Sequence, residues 1–271
     1  MSTSDPAGEL LTVRTRQGRV STAVERVGEG EPLLYLHGPF GCVERPFVRA
    51  LAAQRTVYVP AHPGFEGMEG LDAIDANVFD LVLHYDELIE ALALPVPVDV
   101  AGHSFGASIA AELAAIFPHR VRRLALLAPI GVWCDDRPQP DLFGLTPGAL
   151  GRAVFDDPTS PEARAMLTAP ADREEARAWN RIRRRNLIGV VKFLWPLPDW
   201  GFRQRAHRLR APTLLAWGAH DQVVPPDAYL AAYRTLIPHA EATLIDGAGH
   251  MLPLEQPRPA ARAVLTHLGS P

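Results

Sequence analysis

A serine stands at the centre of the segment Gly102–Gly106, whose sequence Gly-His-Ser-Phe-Gly fits the pattern G-x-S-x-G. The apolar run before it predicts a strand over 96–101, and the Ala-rich stretch after it predicts a helix over 107–117. A turn between these elements is tight, and its small residues would lift the Ser104 hydroxyl clear of the sheet. The Phe105 N–H would then face an oxyanion formed at that hydroxyl. The segment therefore predicts a nucleophilic serine, and the alternative is a purely structural turn.

A serine hydroxyl is a weak nucleophile, so it needs a general base and an acid that orients the base. His250 lies in a glycine-rich loop after the last predicted strand, at the same sheet edge as Ser104. Asp221 comes just after the predicted strand that ends at Trp217. The chain order serine, aspartate, histidine is typical of such a turn. We therefore predict a catalytic triad of Ser104, Asp221 and His250. The rival acids are Asp135, Asp136 and Asp227.

Strand and helix patterns alternate along most of the chain. Residues 10–16 and 19–27 alternate apolar and polar around a Gln-Gly turn, which indicates an antiparallel hairpin. Short apolar runs, typical of strands buried on both faces, occur at 32–36, 56–59, 96–101, 121–127, 212–217 and 242–245. Helical patterns occur at 45–54, 77–93, 107–117, 226–236 and 255–268. The alternation predicts an α/β fold with a mostly parallel, doubly wound sheet and an N-terminal antiparallel hairpin.

The alternation stops between residues 133 and 210. This stretch is rich in proline, shows no buried strand, and has helical patterns near 161–168 and 171–191. We predict an α/β core of residues 1–132 and 211–271 and a helical cap of residues 133–210. An insertion beyond the carboxyl end of a central strand would lie over the site, where open α/β sheets bind ligands.

Four motifs in order give the chain a family resemblance: His37-Gly38, Gly102–Gly106, Gly218–Asp221 with Val224-Pro225, and Gly249-His250 followed by Leu254–Pro257. The chain resembles a serine hydrolase of the α/β-hydrolase superfamily with a helical cap. Its ending is similar to those of small-molecule esterases and of hydrolases from aromatic degradation. The resemblance implies a carboxylesterase-like enzyme that works through an acyl-enzyme and needs no cofactor. A serine nucleophile argues against the dehalogenases and epoxide hydrolases of this fold, which carry aspartate there.

The loop after His37-Gly38 departs from the pattern of that family. In similar enzymes the next residue supplies the second oxyanion N–H, but here it is Pro39, which has no N–H. The first donor is predicted to be Phe105. The second moves to Phe40, with Gly41 as the alternative, or is absent.

The substrate pocket is predicted from side chains near these loops and in the cap. The candidates are Pro39, Phe65, Trp133, Trp179, Trp195 and Met251. The run Arg181–Arg185 is interpreted as a solvated helix face, and the alternative is a clamp for a substrate carboxylate. Cys42 is expected to be a small buried hydrophobe rather than a second nucleophile.

Composition limits the other classes of function. The chain has 271 residues and a net charge of −4, which gives no case for nucleic-acid binding. Two cysteines build no disulfide framework, no apolar run is long enough for a membrane span, and the N-terminus does not read as a signal peptide. We therefore expect a cytoplasmic protein with a small-molecule substrate, no nucleic-acid or membrane partner and no metal. Monomer and homodimer both stay open.

Three functions remain open at this point. The first is hydrolysis of a small apolar or aromatic carboxylic ester. The second keeps the triad but changes the bond: similar hydrolases cleave carbon–carbon bonds of vinylogous diketones, and lactone, amide or perhydrolysis chemistry uses the same residues. The third is a ligand-binding protein with slow or no turnover, which the proline at position 39 keeps in consideration.

Overall fold

The structure is a computed structural model that describes residues 8–195 and 199–269. Within these residues the strands form one sheet in the spatial order β1-β2-β4-β3-β6-β7-β8-β9, and β5 pairs with β2. From β4 onward in this spatial order, each strand is parallel to its neighbour. By contrast, β2 runs antiparallel to β1, β4 and β5. The predicted fold class is confirmed. The strands are β1 (Glu9–Thr15), β2 (Val20–Val27), β3 (Pro32–Leu36), β4 (Thr56–Pro60), β5 (Met68–Glu69), β6 (Val98–His103), β7 (Val121–Leu127), β8 (Thr213–Gly218) and β9 (Glu241–Ile245).

The helices cover the sheet and part of the segment between β7 and β8. They are α1 (Arg45–Ala52), α2 (Val78–Ala91), α3 (Phe105–Ile116), α4 (Pro147–Val154), α5 (Pro161–Leu167), α6 (Arg173–Leu194), α7 (Tyr229–Leu236), α8 (Leu252–Glu255) and α9 (Pro257–Leu268). The single helix predicted over 255–268 is wrong at its start. Gln256 is non-helical (φ −128°, ψ 60°) and separates α8 from α9. No helix in the described ranges is long and apolar enough to cross a membrane.

We call residues 133–210 the cap segment. Its described part contains α4, α5 and α6, and two of its prolines begin helices rather than break them. Pro147 and Pro161 stand at the first turn of α4 and α5, where the missing N–H costs nothing, and the Thr146 and Ser160 side chains cap these helices. Separation into a core and a cap domain stays a prediction, and residues 1–7, 196–198 and 270–271 of those ranges lie outside the described residues.

The strand that leads to Ser104 carries a buried charge. Asp99 of β6 is fully buried and accepts from Arg55 at 3.1 Å and from Arg122 at 2.6 Å. Arg55 is itself buried and also contacts the half-exposed Glu31 at 2.8 Å. Because a buried guanidinium without its counter-charge is costly, the Arg55–Asp99 pair ties the residue before β4 to β6, across the intervening β3.

Removing the Asp99 carboxylate should destabilise the protein strongly. We expect Asp99→Ala to lower the free energy of unfolding by about 3 kcal/mol, since Arg55 and Arg122 lose their shared partner at a buried position. The control is Asp227→Ala, which breaks an exposed pair with Arg137 and should cost less than about 1 kcal/mol. Urea unfolding measures both, and similar small losses in the two variants would contradict this assignment.

Candidate active site

Ser104 lies at a strained turn between β6 and α3. Its backbone has φ 52° and ψ −113°, a conformation that non-glycine residues rarely adopt. The turn needs glycine behind it, because a Cβ on Gly106 would lie 2.0 Å from the Leu36 carbonyl oxygen. The Ser104 N–H donates to the Leu127 carbonyl at 2.9 Å, which fixes the turn to β7. Strain of this kind persists only where the surrounding structure enforces it, and it points to a functional serine.

The structure brings Ser104, His250 and Asp221 together in one hydrogen-bonded chain. His250 Nε2 lies 2.8 Å from Ser104 Oγ, and His250 Nδ1 lies 2.8 Å from Asp221 Oδ2. All three side chains are buried. The Asp221 carboxylate can only accept a hydrogen bond, so the proton of the neutral His250 ring is on Nδ1. The lone pair of Nε2 therefore faces the Ser104 hydroxyl. The other carboxylate oxygen accepts the N–H groups of Val223 at 2.8 Å and Val224 at 3.0 Å.

Two loop contacts hold the acid and the base side by side. The His220 N–H donates to the Ala248 carbonyl at 3.0 Å. A Cβ on Gly218 would lie 2.0 Å from the Gly249 carbonyl oxygen, so only glycine lets the two loops approach. Glu255 then ties the histidine loop to the cap segment, accepting from the Gly249 N–H at 2.8 Å and the Asp156 N–H at 2.7 Å. Burial raises the pKa of Glu255, and these backbone donors oppose that shift.

A second buried histidine supports the first through its backbone. His103 Nε2 donates to the His250 carbonyl at 2.8 Å, and His103 Nδ1 lies 2.7 Å from Glu44 Oε1. The His103 and Glu44 side chains are completely buried. Each of these two hydrogen bonds needs one proton, so the His103–Glu44 pair carries two protons. One of them is on His103 Nε2 and points at the His250 carbonyl. The pair therefore links the start of α1, the residue before the nucleophile and the loop of the base.

The rival acids lie away from the base. Asp227 is exposed and pairs with Arg137 at 2.7 Å, and Asp135 and Asp136 are exposed as well. Of the four aspartates considered from the sequence, Asp221 is the one hydrogen-bonded to His250.

The predicted oxyanion residues lie around Ser104. Phe105 is buried at the first position of α3, and Pro39 and Phe40 line a cavity together with Ser104. Gly41 has φ +89°, which favours glycine, and a Cβ there would lie 3.0 Å from the Asn186 amide nitrogen. That amide nitrogen is 3.5 Å from the Phe40 carbonyl oxygen, so α6 contacts this loop directly.

Two histidines and a cysteine near this loop have structural contacts. His37 Nδ1 lies 2.8 Å from the Gly38 carbonyl, and His62 Nε2 lies 2.7 Å from the His37 carbonyl. Burial lowers the pKa of both imidazoles and raises the pKa of the Cys42 thiol. Neutral rings and an un-ionised thiol suit packing better than nucleophilic chemistry.

Ser104 opens into a cavity of about 450 Å³ between the sheet edge and the cap segment. Apolar side chains dominate its wall, and the polar groups are few. The apolar lining is Pro39, Phe40, Ile130, Trp133, Pro140, Leu142, Phe143, Leu145, Leu150, Leu187, Val190, Leu194, Trp195 and Val223. The polar lining besides Ser104 is Gln139, Asp141, Asn180, Arg183, Arg184 and Asn186.

Three predicted pocket residues lie elsewhere in the described structure. Phe65 is buried against the rings of His37 and His62, at centroid distances of 5.4 and 5.3 Å. Trp179 lies under the Arg183 guanidinium, 4.4 Å from its ring centroid. Met251 is buried, and its N–H donates to the Val154 carbonyl at 2.9 Å. None of these three residues lines the cavity at Ser104.

Glu44 and Asn186 were missed from the sequence. An acid before a helix is a common signal for a helix start, and an asparagine inside an Arg-rich helix reads as a solvated residue. Only the packing of α1 and α6 against the loop of residues 37–43 shows what these residues contact. Residue spacing within one element carries no record of such contacts between elements.

Comparison with known proteins identifies the family of this chain. A family model described as the alpha/beta hydrolase fold matches residues 31–257. The chain belongs to the α/β-hydrolase fold family. It is 27% identical to 2-hydroxy-6-oxo-2,4-heptadienoate hydrolase of Pseudomonas putida, over 91% of this chain and 92% of that protein. It is 25% identical to Lipase 1 of Psychrobacter immobilis, over 82% of this chain and 72% of that one. A bacterial membrane phospholipase A has a similar fold, with a TM-score of 0.79, 23% identity and coverage of 97% of this chain and 86% of that one.

The Glu44–His103 pair gives a prediction about stability. We expect Glu44→Ala to lower the free energy of unfolding by about 1–3 kcal/mol, because His103 Nδ1 is left buried without a partner. Glu44→Gln keeps an oxygen that accepts from Nδ1 and should recover part of the loss. Urea unfolding of the two variants measures the difference. An equal loss in both would show that the carboxyl group itself is needed and that a neutral hydrogen-bonding group of the same shape cannot replace it.

Proposed function

We propose that the protein is a serine hydrolase that cleaves small apolar or aromatic carboxylic esters through an acyl-enzyme. The observation that carries the proposal is the pair of 2.8 Å contacts joining Ser104, His250 and Asp221 at the edge of an apolar cavity. A base hydrogen-bonded to a serine, and itself oriented by a buried acid, is the arrangement that nucleophilic acyl transfer requires.

In the first half of the proposed reaction, Ser104 Oγ attacks the ester carbonyl carbon while His250 Nε2 takes the hydroxyl proton. Asp221 stabilises the imidazolium that forms and holds the ring in its orientation. The tetrahedral intermediate collapses as its bond to the leaving oxygen breaks. His250 returns the proton to that oxygen, so an alcohol departs and the acyl group stays on Ser104.

In the second half a water molecule takes the place of the alcohol. His250 Nε2 accepts one of its protons as the water oxygen attacks the acyl carbon. The second intermediate breaks its bond to Ser104 Oγ, which regains a proton from His250. The balance is one ester and one water consumed, with one acid and one alcohol released.

The negative oxygen of both intermediates needs N–H donors. The Phe105 N–H is the proposed first donor, because it begins α3 and the positive end of the helix dipole adds to its effect. The Phe40 N–H is the proposed second donor, with Gly41 as the alternative, because Pro39 has none. The contact between Asn186 and the Phe40 carbonyl supports this arrangement, since it restricts how that loop can turn.

Labelling with a fluorophosphonate tests the nucleophile directly. We expect one covalent adduct on the wild-type protein by intact mass, and none on Ser104→Ala or His250→Ala, because the reagent needs an activated hydroxyl. Ser108→Ala is the matched control: Ser108 is a buried serine one turn further along α3 and should leave labelling intact.

Absence of an adduct on folded wild-type protein would contradict the hydrolase proposal. It would favour the alternative of a ligand-binding protein with the same cavity. An adduct that persists in Ser104→Ala would place the reactive group elsewhere.

A second candidate function is hydrolysis of a carbon–carbon bond in a vinylogous diketone that carries a carboxylate. The supporting observation is that Arg183 and Arg184 line the cavity together with Ser104. Arg183 is half-buried, donates to the Met166 carbonyl at 2.7 Å, and has its pKa lowered by burial. The relative from Pseudomonas putida is named for hydrolysis of such an oxo-dienoate. Water would add across the bond to give a carboxylic acid and a carbon that gains a proton.

Replacement of Arg183 separates the two candidates. If the substrate bears a carboxylate held by this guanidinium, Arg183→Ala should raise KM for it by about tenfold or more. Hydrolysis of a neutral p-nitrophenyl ester should change much less. Arg152→Ala is the control, since Arg152 is exposed on α4 and does not line the cavity. Steady-state kinetics with both substrates decide the matter, and equal effects on both would remove the carbon–carbon reaction from consideration.

A further inference from the structure

A groove of about 760 Å³ lies alongside α6 and contains none of the triad residues. One wall is the α6 surface, and the opposite wall comes from the loop between β4 and β5 and the residues that follow it. The lining residues from α6 are Arg177, Asn180, Arg181, Arg184, Arg185 and Ile188. Those from the opposite wall are Gly64, Met68, Glu69, Gly70 and Leu71.

Positive charge dominates this groove, which we call the arginine groove. Arg177, Arg181 and Arg184 are spaced by four and three residues, so they lie along one face of α6. Among the described residues, none of these three has a carboxylate within ion-pair distance, and Glu69 is the one acid in the lining. Like charges at this spacing repel one another, so a bound anion would relieve an unfavourable arrangement.

Arg185 is oriented differently from the other three. Its guanidinium donates to the Met68 carbonyl, which attaches α6 to the opposite wall. This contact gives the arginine groove a defined width, with glycines at positions 64 and 70 of the facing wall. Arg185 is therefore held against the opposite wall, whereas Arg177, Arg181 and Arg184 stay exposed to solvent.

The arginine groove and the cavity at Ser104 share part of a wall. Asn180 and Arg184 line both spaces. The two spaces therefore adjoin at these two residues of α6. The combined site has an apolar part next to the nucleophile and a cationic part beyond it.

We propose that the arginine groove binds a phosphate-bearing portion of the substrate while the acyl portion occupies the cavity at Ser104. The inference rests on the proposed hydrolase function and names a substrate class for it: an acyl ester or thioester of a phosphate-bearing alcohol or thiol. Phosphate fits better than a single carboxylate because it offers three charged oxygens to several guanidiniums, and arginine binds it through paired N–H groups. Water releases the acid and the phosphate-bearing alcohol or thiol, so no co-reactant is needed.

Two thioesters with the same acyl group test the proposal. Butyryl-coenzyme A carries phosphates, whereas butyryl-N-acetylcysteamine has the same reacting bond and none. We expect the wild-type protein to prefer the coenzyme A ester by about tenfold or more in kcat/KM, since charge-assisted hydrogen bonds to phosphate are stronger than neutral ones. The double variant Arg177→Glu/Arg181→Glu should lose that preference through a higher KM for the coenzyme A ester.

Arg173→Glu is the matched control. Arg173 is an exposed arginine on the same helix and lies outside the arginine groove, so this variant should keep the preference. A preference that also disappears in Arg173→Glu would point to general charge on α6 and overturn the proposal. So would a preference that persists in the double variant both for these thioesters and for the lipid pair described next.

A second pair of substrates distinguishes the source of the phosphate. Monomeric dihexanoyl phosphatidic acid and dihexanoylglycerol share their acyl chains and differ in the headgroup phosphate. Dependence on Arg177 and Arg181 for this pair alone assigns the arginine groove to a lipid headgroup, and dependence for the thioester pair alone assigns it to a soluble carrier. Independence in both pairs overturns the proposal.

Binding without turnover keeps this inference separate from the proposed function. Calorimetric titration with coenzyme A measures binding to the arginine groove even if no ester is hydrolysed. Weaker binding to the double variant than to Arg173→Glu supports the groove. Equal binding to both excludes a soluble carrier, and together with independence in the lipid pair it overturns the inference, whatever the fluorophosphonate result at Ser104.

Discussion

The imidazole of His250 is buried, and both of its nitrogens are committed: one faces the Asp221 carboxylate and the other faces the Ser104 hydroxyl. Such an arrangement works only if three loops from three strands are held within tenths of an ångström, because a hydrogen bond weakens steeply with distance and angle. Much of the surrounding structure can be understood as the means of holding these loops. Glycines let them approach, and backbone hydrogen bonds fix them once they are there.

The polar residues behind the triad belong to the same constraint. His103, which is itself held by Glu44, donates to the carbonyl of His250, and Glu255 accepts from the N–H of the residue before it. The base is therefore fixed through its backbone on both sides as well as through its ring. Buried groups of this kind are costly when unpaired, so each loop has one preferred position and the site is rigid before any ligand arrives.

The helix α6 links this rigid site to the choice of ligand. One side contributes Val190, Leu194 and Arg183 to the cavity, and the other carries the arginines of the second groove. A single long helix can do this because positions three or four residues apart share a face while intervening positions point elsewhere. In the proposed function, the loops of the sheet carry out the reaction and the cap segment selects the ligand. Such a division is common among proteins that share one fold and differ in an inserted segment.

The amino-acid sequence by itself determined the fold class and the three residues that meet at the sheet edge. Parallel strands all end at one edge, so Ser104, Asp221 and His250, each placed just after a strand, had to come close together. Tertiary structure alone decided the lining of the cavity and the support of the base. Phe65, Trp179 and Met251 resemble pocket residues by type, yet Phe65 contacts the His62 ring, Trp179 contacts Arg183, and Met251 is buried outside the cavity. Glu44 lies 59 residues from His103 in the chain, and such contacts arise when helices pack, which local periodicity does not encode.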